Sequence, residues 1–351
     1  MLSGAKEQGG QTMRRSLPAM LGAVLGAALG LGPALGQDYP WQPEQPITII
    51  VPWAAGGSTD QVTRVVAGEI EEALGESVVI VNQPGASGSV GTKSAWDAPH
   101  DGYTWAAGAA SDLGTYPVIG MLDQTLDDWR LYLDVANVAV VGVNPDAPWQ
   151  DFGELLEDLK QRGSEISVAT AGLSSAGHNA MEALAQQTGV EYRHVTYDGG
   201  NPAVIATVAG ETDMTTQLAS EQAEMIRGGR LRPLAVLSTE PLELAGHGTI
   251  PPVTDWVPEI SIADNYFGIW APRDVPEEVF ATMDQVWAEK IANSKALQDY
   301  AADRGARFTP YYGEDAHERA MGMVRQNAWL LYEAGKAPND PSQFGIDKPG
   351  M

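Results

Sequence analysis

Short β-branched runs alternate along the chain with stretches whose apolar residues recur every three or four positions. That alternation of periods two and 3.6 predicts strands interleaved with helices, hence an α/β architecture with mainly parallel sheets. "ITIIVPW" (47–53) reads as a buried strand, and Val62, Val65, Val66, Ile70, Ala73 and Leu74 form one face of the helix that follows. "SVVIVNQPG", "YTWAAGA", "ISVATAG", "EYRHVTYDG", "DMTTQL", "LRPLAVLS" and "ADNYFGIWAP" read as further strands. "GSVGTKSAWDA", "DFGELLEDLKQRG", "SAGHNAMEALAQQTG", "NPAVIATVAG" and "EQAEMIRGGR" read as the helices between them. "DVANVAVVGVNP" (134–145) is a long apolar run ending at a proline, 240–259 is rich in Pro and Gly and reads as a surface connection, and two helices are expected before a loose tail.

The segmentation suggests a change of lobe near Val140 and a return near Asn265. The expected domains are a first lobe over 37–139, a second over 140–264, a returning segment over 265–336, and a tail over 337–351. Two lobes joined by two crossing strands would face a common cleft and could close on a ligand.

The first 36 residues read as an address. Arg14 and Arg15 precede the uncharged run "LPAMLGAVLGAALGLGPALG", which ends in the small triplet Ala34-Leu35-Gly36 that suits a signal peptidase. A membrane anchor of about 20 apolar residues is the competing reading. Glycines and Pro33 break the run, and the cleavage-like flank favours export; the choice between general and twin-arginine export stays open. Met13 is an alternative start.

Removing that leader from 351 residues leaves 315, enough for a sizeable core and two domains. Lys6, Arg14 and Arg15 against Glu7 give the leader a net of +2, so the remainder carries −27 against −25 for the whole chain. So acidic a surface argues against nucleic acid or an anionic membrane as partner. There is no cysteine, so an exported chain would rely on its core, without disulfides or thiolate chemistry.

Four glycine-bearing strand-to-helix junctions recur: "PWAAGGSTD" (52–60), "PGASGSVG" (84–91), "AGLSSAGH" (171–178) and "YDGGNPA" (197–203). In open α/β sheets ligands bind beyond the strand C-termini, where a helix start offers unpaired N–H groups and a positive dipole end. One such terminus is worth about 0.3 to 1 kcal/mol, up to about 2 when partly buried. Micromolar affinity needs about 8 kcal/mol. Several N–H donors, the hydroxyls of Ser58, Ser87, Ser174 and Ser175, bound water and lobe closure would have to combine. These loops hold no basic side chain, which points to a carboxylate rather than a multiply charged phosphate. Asp60 is expected to turn back and cap backbone N–H groups; Trp53 and Tyr266 are candidate cleft walls or core.

Enzymatic signatures are missing. The loops lack the Gly-Lys-Ser/Thr end of a P-loop and the Gly-x-Gly-x-x-Gly dinucleotide turn. "GASGS" and "GLSSA" each miss the nucleophile elbow at its last position. The five histidines show no metal spacing, and His178, four residues after Ser174, leaves a serine hydrolase using Ser174 or Ser175 as the alternative function.

"QPITIIVPWAAGGSTD", "LGESVVIVNQPGASGSVG", "PHDGYT", "ATAGLSSAGHNAMEALAQQTGVEYRHVTYDGGNPAVIATVAGETD", "IRGGRLRPLAVLS" and "YFGIWAP" occur in order and resemble the substrate-binding receptors of tripartite tricarboxylate transporters, the Bug receptors, over about residues 40–330. The resemblance implies a periplasmic, two-lobed binding protein of Venus-flytrap type, without cofactor, metal or catalysis, and monomeric. It would deliver a di- or tricarboxylate to integral-membrane permease subunits, or alternatively feed a sensor. It also implies that Trp53, Ala55, Gly56, Gly57 and Ser58 hold one carboxylate through main-chain donors and water, and that Ser174 and Ser175 hold the far end, with Ser87 and Tyr266 as walls. Asp198 stands where the family usually has lysine, and Gln217 where it commonly has aspartate; the second change disfavours a ligand ammonium.

Overall fold

The computed structural model describes residues 39–260, 262 and 264–349; the expected leader lies outside them. In chain order the first part runs β1 (Ile47–Val51), α1 (Ser58–Leu74), β2 (Val78–Asn82), α2 (Ser89–Trp96), β3 (Thr104–Ala109), α3 (Ala110–Ile119) and β4 (Trp129–Asn137). The chain then passes to β5 (Ala139–Val143), α4 (Phe152–Arg162), β6 (Ser167–Thr170), α5 (Ala176–Thr188), β7 (Arg193–Thr196), α6 (Gly200–Val208), β8 (Met214–Thr215), α7 (Ala219–Arg227), β9 (Arg232–Leu237), β10 (Leu242–Leu244) and β11 (Gly248–Ile250). It returns through β12 (Asn265–Pro272), α8 (Glu277–Glu289), α9 (Lys295–Arg304), β13 (Arg307–Phe308) and α10 (Gly313–Glu333).

Two sheets result, one ordered β13-β4-β12-β3-β1-β2 and the other β7-β6-β8-β5-β9, giving two lobes. The expected mainly parallel pairing is corrected. β1 pairs parallel with β2 and β3, and β6 with β7 and β8, but β12, β4, β13, β5 and β9 enter antiparallel. The reason is the double crossing: β5 and β12, which arrive from the other lobe, enter their sheets from the far end, whereas β4 and β9, antiparallel to them, run in the direction of the parallel strands. The apolar run 134–145 is accordingly two strands in different sheets, changing over at Val138, and Asn137 pairs with Asn265 where the chain comes back.

Burial follows the patterns read from sequence. Val62, Val66 and Ile70 of α1 are buried against the first sheet, together with Trp105, Tyr132, Phe280 and Trp287, and a second layer around Trp129, Trp270 and Val324 covers its other face. The second sheet is covered by Phe152, Leu155 and Met181 on one side and by Val204, Ala223 and Ile226 on the other. At about 25 cal/mol per Å² of apolar surface, such layers supply the main drive to fold without disulfides.

Three local expectations are corrected. The connection 240–259 contains the hairpin β10–β11, because Leu244 and Ile250 are buried on either side of its turn. Helix α9 was missing from the expected elements; only Leu297 and Ala301 of it are buried, too few to give a clear period. The tail is packed rather than loose: a 3₁₀ turn spans Pro341–Phe344, Ile346 is 2 % exposed, and its carbonyl accepts from Trp329 Nε1 at 3.0 Å. No helix among the described residues is long and apolar enough to cross a membrane.

Candidate functional site

β1 ends at Val51, and Pro52 to Gly57 turn the chain into α1. Asp60, in the first turn, folds back as expected: its Oδ2 accepts from Gly56 N at 2.9 Å, and Arg64 pairs with its Oδ1 at 2.8 Å. Burial alone would raise its pKa, but hydrogen bonds from Arg64, Gly56 and Asn82 outweigh that and hold it below the usual carboxylate range. Its charge is therefore compensated by Arg64 and by the Gly56 N–H.

A different acid occupies that start. Glu221 Oε1 accepts from Ser58 N at 3.1 Å across the lobes, while its Oε2 accepts from Leu218 N at 3.3 Å and so caps its own helix α7. With the Gln217 amide oriented to satisfy both of its atoms, its nitrogen donates to Oε2 at 2.8 Å and its oxygen accepts from Ala171 N at 2.7 Å. Ser220 Oγ donates to Ser58 Oγ at 2.8 Å. Gly200 at the start of α6 comes so close that a Cβ there would lie 2.0 Å from Glu221 Oε1. Burial pushes Glu221 up to about 7, against the pull of the Ser58 and Leu218 N–H groups.

Asp112, in the first turn of α3, is the second buried acid. Burial raises it well above the carboxylate range, Trp53 hydrogen-bonds to it, and its Oδ1 has no protein partner among the described residues. Both acids line a cavity of about 30 Å³ together with Trp53, Ser58, Ser175 and Gly200. The first turns of α1, α3, α5, α6 and α7 thus meet at one point from both lobes, and no lysine or arginine lines it. First-turn N–H groups have no partner within their own helix, so the site is rich in donors and partial positive charge without a cation.

Of the nine candidate residues, Trp53, Ser58 and Ser175 line this cavity, while Gly56 and Gly57 shape the loop beneath it. Ala55 is exposed. Ser87 and Ser174 form a latch between lobes: Leu173 N donates to Ser87 Oγ at 3.0 Å, and Ser174 Oγ donates to Ser87 O at 2.7 Å. Ser87 sits at φ 54, a strained left-handed conformation for a serine, which aims both oxygens at the other lobe. The approach demands glycine opposite: at Gly172, φ +129, a Cβ would fall 2.5 Å from Ser87 Oγ. Ala54 N adds a third link, to Asp198 O at 3.0 Å. Tyr266 packs on Tyr311, and the next residue along the strand, Phe267, lines the cavity instead.

The hydrolase alternative is corrected by the same bonds. Ser174 Oγ donates to Ser87 O, and Ser175 Oγ donates to Gly172 O at 2.7 Å while capping α5. His178 faces neither: its Nδ1 meets Leu173 O at 2.8 Å, its Nε2 lies 3.4 Å from Glu182, and its ring stacks on His194. Sequence reasoning missed Asp112 and Glu221. Asp112 had a signal, being the only charged residue between Gly102 and Leu122. Glu221 reads locally as an ordinary cap, yet it restores an acid four residues after Gln217, which removes the ground for disfavouring a ligand ammonium.

Residues 62–321 match the profile of the tripartite tricarboxylate transporter family receptor. Among curated proteins the chain is 30% identical to a UPF0065 protein from the tcbD-tcbE intergenic region of Pseudomonas sp. (strain P51), over 71% of this chain and 75% of that one. Among solved structures it resembles periplasmic binding protein BugD, with 25% identity and a TM-score of 0.77 over 85% of this chain and all of that one. It resembles R. palustris Rpa4515 with adipate equally well, at 25% identity and 0.77 over 85% and 99% of the two chains.

Proposed function

Because the chain belongs to the tripartite tricarboxylate transporter receptor family, we propose that it captures a small organic acid, a di- or tricarboxylate, between its lobes in the periplasm and passes it to membrane permease subunits. Proteins of this family bind solutes and are not enzymes. The observation that carries the reading is the meeting of five helix starts from two lobes, where a carboxylate, that of Glu221, already accepts from Ser58 N. Such a seat suits a carboxylate because its donors are fixed before the guest arrives and act in a water-poor space, where each hydrogen bond is stronger than in solvent. Closure through Ser87, Ser174 and Ala54 would exclude that water. The adipate bound to the R. palustris relative is in keeping with this chemistry.

The test is calorimetry with a panel of mono-, di- and tricarboxylates, after mass spectrometry of whatever co-purifies with the protein. One acid should bind with micromolar affinity or better. In Gly57→Asp the new side chain fits, since a Cβ at Gly57 meets Ala54 O at 3.4 Å and Glu221 Oε1 at 3.5 Å, but it sets a second negative charge beside the seat. Binding should be lost with melting temperature nearly unchanged. Retained micromolar affinity in Gly57→Asp, or a folded wild-type protein that binds no carboxylate at millimolar concentration, overturns the assignment.

A further inference from the structure

The point where the helix starts meet is taken up by a side chain of the protein. Glu221 stands in the first turn of α7, in the second lobe, and its carboxylate reaches across to the first. Oε1 accepts from Ser58 N at 3.1 Å in the first lobe, while Oε2 accepts from Leu218 N at 3.3 Å in the second. The Gln217 amide, oriented to satisfy both of its atoms, adds a donor to Oε2 at 2.8 Å. One carboxylate therefore takes donors from both lobes, which is how a guest carboxylate would draw them together.

The floor beneath it fits as closely. Gly200, at the start of α6, carries no side chain, and a Cβ there would lie 2.0 Å from Oε1 and 2.1 Å from both Cδ and Oε2 of Glu221. All three carboxylate atoms thus rest against bare backbone. Ser220, the neighbour of Glu221, donates through Oγ to Ser58 Oγ at 2.8 Å, a second contact between the lobes at the same point.

Little space remains around this contact. The cavity lined by Trp53, Ser58, Gly200 and Glu221 measures about 30 Å³, and a water needs roughly 10 to 15 Å³ of such space. It holds roughly two or three water-sized groups, and even oxalate, the smallest dicarboxylate, is larger than that. A guest that takes Ser58 N must therefore displace the carboxylate already there. Glu221 keeps some solvent exposure, which gives its side chain a way out.

We propose that Glu221 is an internal stand-in for the guest: its carboxylate closes the lobes on themselves before a guest arrives, and the guest binds by displacing it. The inference rests on the reading of the helix starts as a carboxylate seat. The self-closed form cannot take a guest, so the apparent affinity is the intrinsic affinity reduced by the fraction of the protein that is open.

The chain has no cysteine, so a pair introduced at Val90 of α2 and Ile205 of α6, one in each lobe and each 48 % exposed, would carry the only two spin labels. Double electron–electron resonance on the full chain, with no acid added, reads the distance between them. Wild type should show mainly the short distance of this structure. Glu221→Ala should move most of the population to longer distances, and an acid identified by calorimetry should restore the short one. Gly200→Ala keeps Glu221 but sets a Cβ where its carboxylate rests. It should open the lobes in the same way, and it keeps the test available if Glu221→Ala fails to fold. Wild type as open as the two variants, or variants as closed as wild type, overturns the proposal. So does an acid that binds wild type yet leaves both variants open. Failure of the carboxylate assignment reads differently: if no acid binds while both variants still open, self-closure through Glu221 stands and only that assignment falls.

Discussion

Consider Glu221→Gln in a receptor presented with its acid at pH 6 and pH 8. Choosing an acid whose carboxyls all have pKa values near those of free Asp and Glu side chains, about 4, keeps the guest ionised throughout that range, so its charge does not change. Glu221 does change, because burial brings it to about 7: mostly ionised at the higher pH and mostly neutral at the lower. A guest carboxylate sharing the start of α1 would sit about 5 Å from it, where two like charges at an effective dielectric of about 20 repel by roughly 3 kcal/mol. That repulsion corresponds to about a hundredfold in affinity between the two protonation states. Weighted by the populations around a value of about 7, the wild-type protein should bind about tenfold more tightly at pH 6 than at pH 8.

Glutamine at 221 removes the charge at every pH. The variant should bind about tenfold more tightly than wild type at pH 8, and within a few-fold of it at pH 6. Calorimetry in two buffers of different ionisation enthalpy would also show fractional proton uptake in the wild type that disappears in the variant. Asp112 is present in both proteins, so the difference between them isolates Glu221. A variant at least tenfold weaker at both pH values refutes the reasoning; it would mean that Glu221 accepts from a ligand hydroxyl or ammonium. The stability consequence has a fixed sign. A carboxyl whose folded pKa lies above its unfolded value of 4.5 binds its proton more tightly when folded. Stability therefore falls as pH rises from about 4.5 to about 7, and that fall should be shallower in Glu221→Gln.

Ser174→Ala deletes one latch hydrogen bond, worth about 1 kcal/mol, and should weaken the acid about fivefold in the same calorimetry without shifting the melting temperature by more than a few degrees. Ile346→Ala leaves a hole beneath Trp329 and should cost about 2 to 5 kcal/mol in urea unfolding; an unchanged midpoint would show that the tail contributes nothing. With a formal charge of −25, the chain repels an incoming acid at long range. Since the Debye length shortens from about 30 Å at 0.01 M salt to about 8 Å at 0.15 M, the association rate measured by stopped flow should rise with salt, and a fall would indicate a local positive field at the entrance.

How much of this was legible beforehand depends on how local each cause is. The face of α1 was legible because Val62, Val66 and Ile70 recur at a helical period. So was the Asp60 cap, whose partners Gly56 and Arg64 lie within four residues of it. Strand direction was not, because whether β4 and β12 run with or against β3 depends on which lobe the chain arrives from. Tyr266 and Phe267 were indistinguishable as wall candidates until register fixed which face each one takes. The tail was misread because Pro341, Phe344 and Ile346 follow no period; they fill gaps whose shape is set by α3 and α10.

Glu221 is the instructive omission, since one carboxylate serves two scales at once. Through Oε2 it accepts from Leu218 N and caps the start of α7, a role visible within three residues of sequence. Through Oε1 it reaches Ser58 N, 163 residues away in the chain, at the start of a helix in the other lobe. A junction read alone says that a helix start will want an acceptor; it does not say whether the guest or the protein supplies it. Here the protein supplies one whose charge is held only loosely, because its helix-start donors stabilise the ionised form and burial opposes it. A fully ionised acid at that place would reject an anionic guest, and a residue without an acceptor would leave Ser58 N unsatisfied when the lobes meet. A carboxyl balanced near neutrality avoids both, so under the proposed assignment the lobes would meet through Glu221 and still yield the same donors to a guest carboxylate.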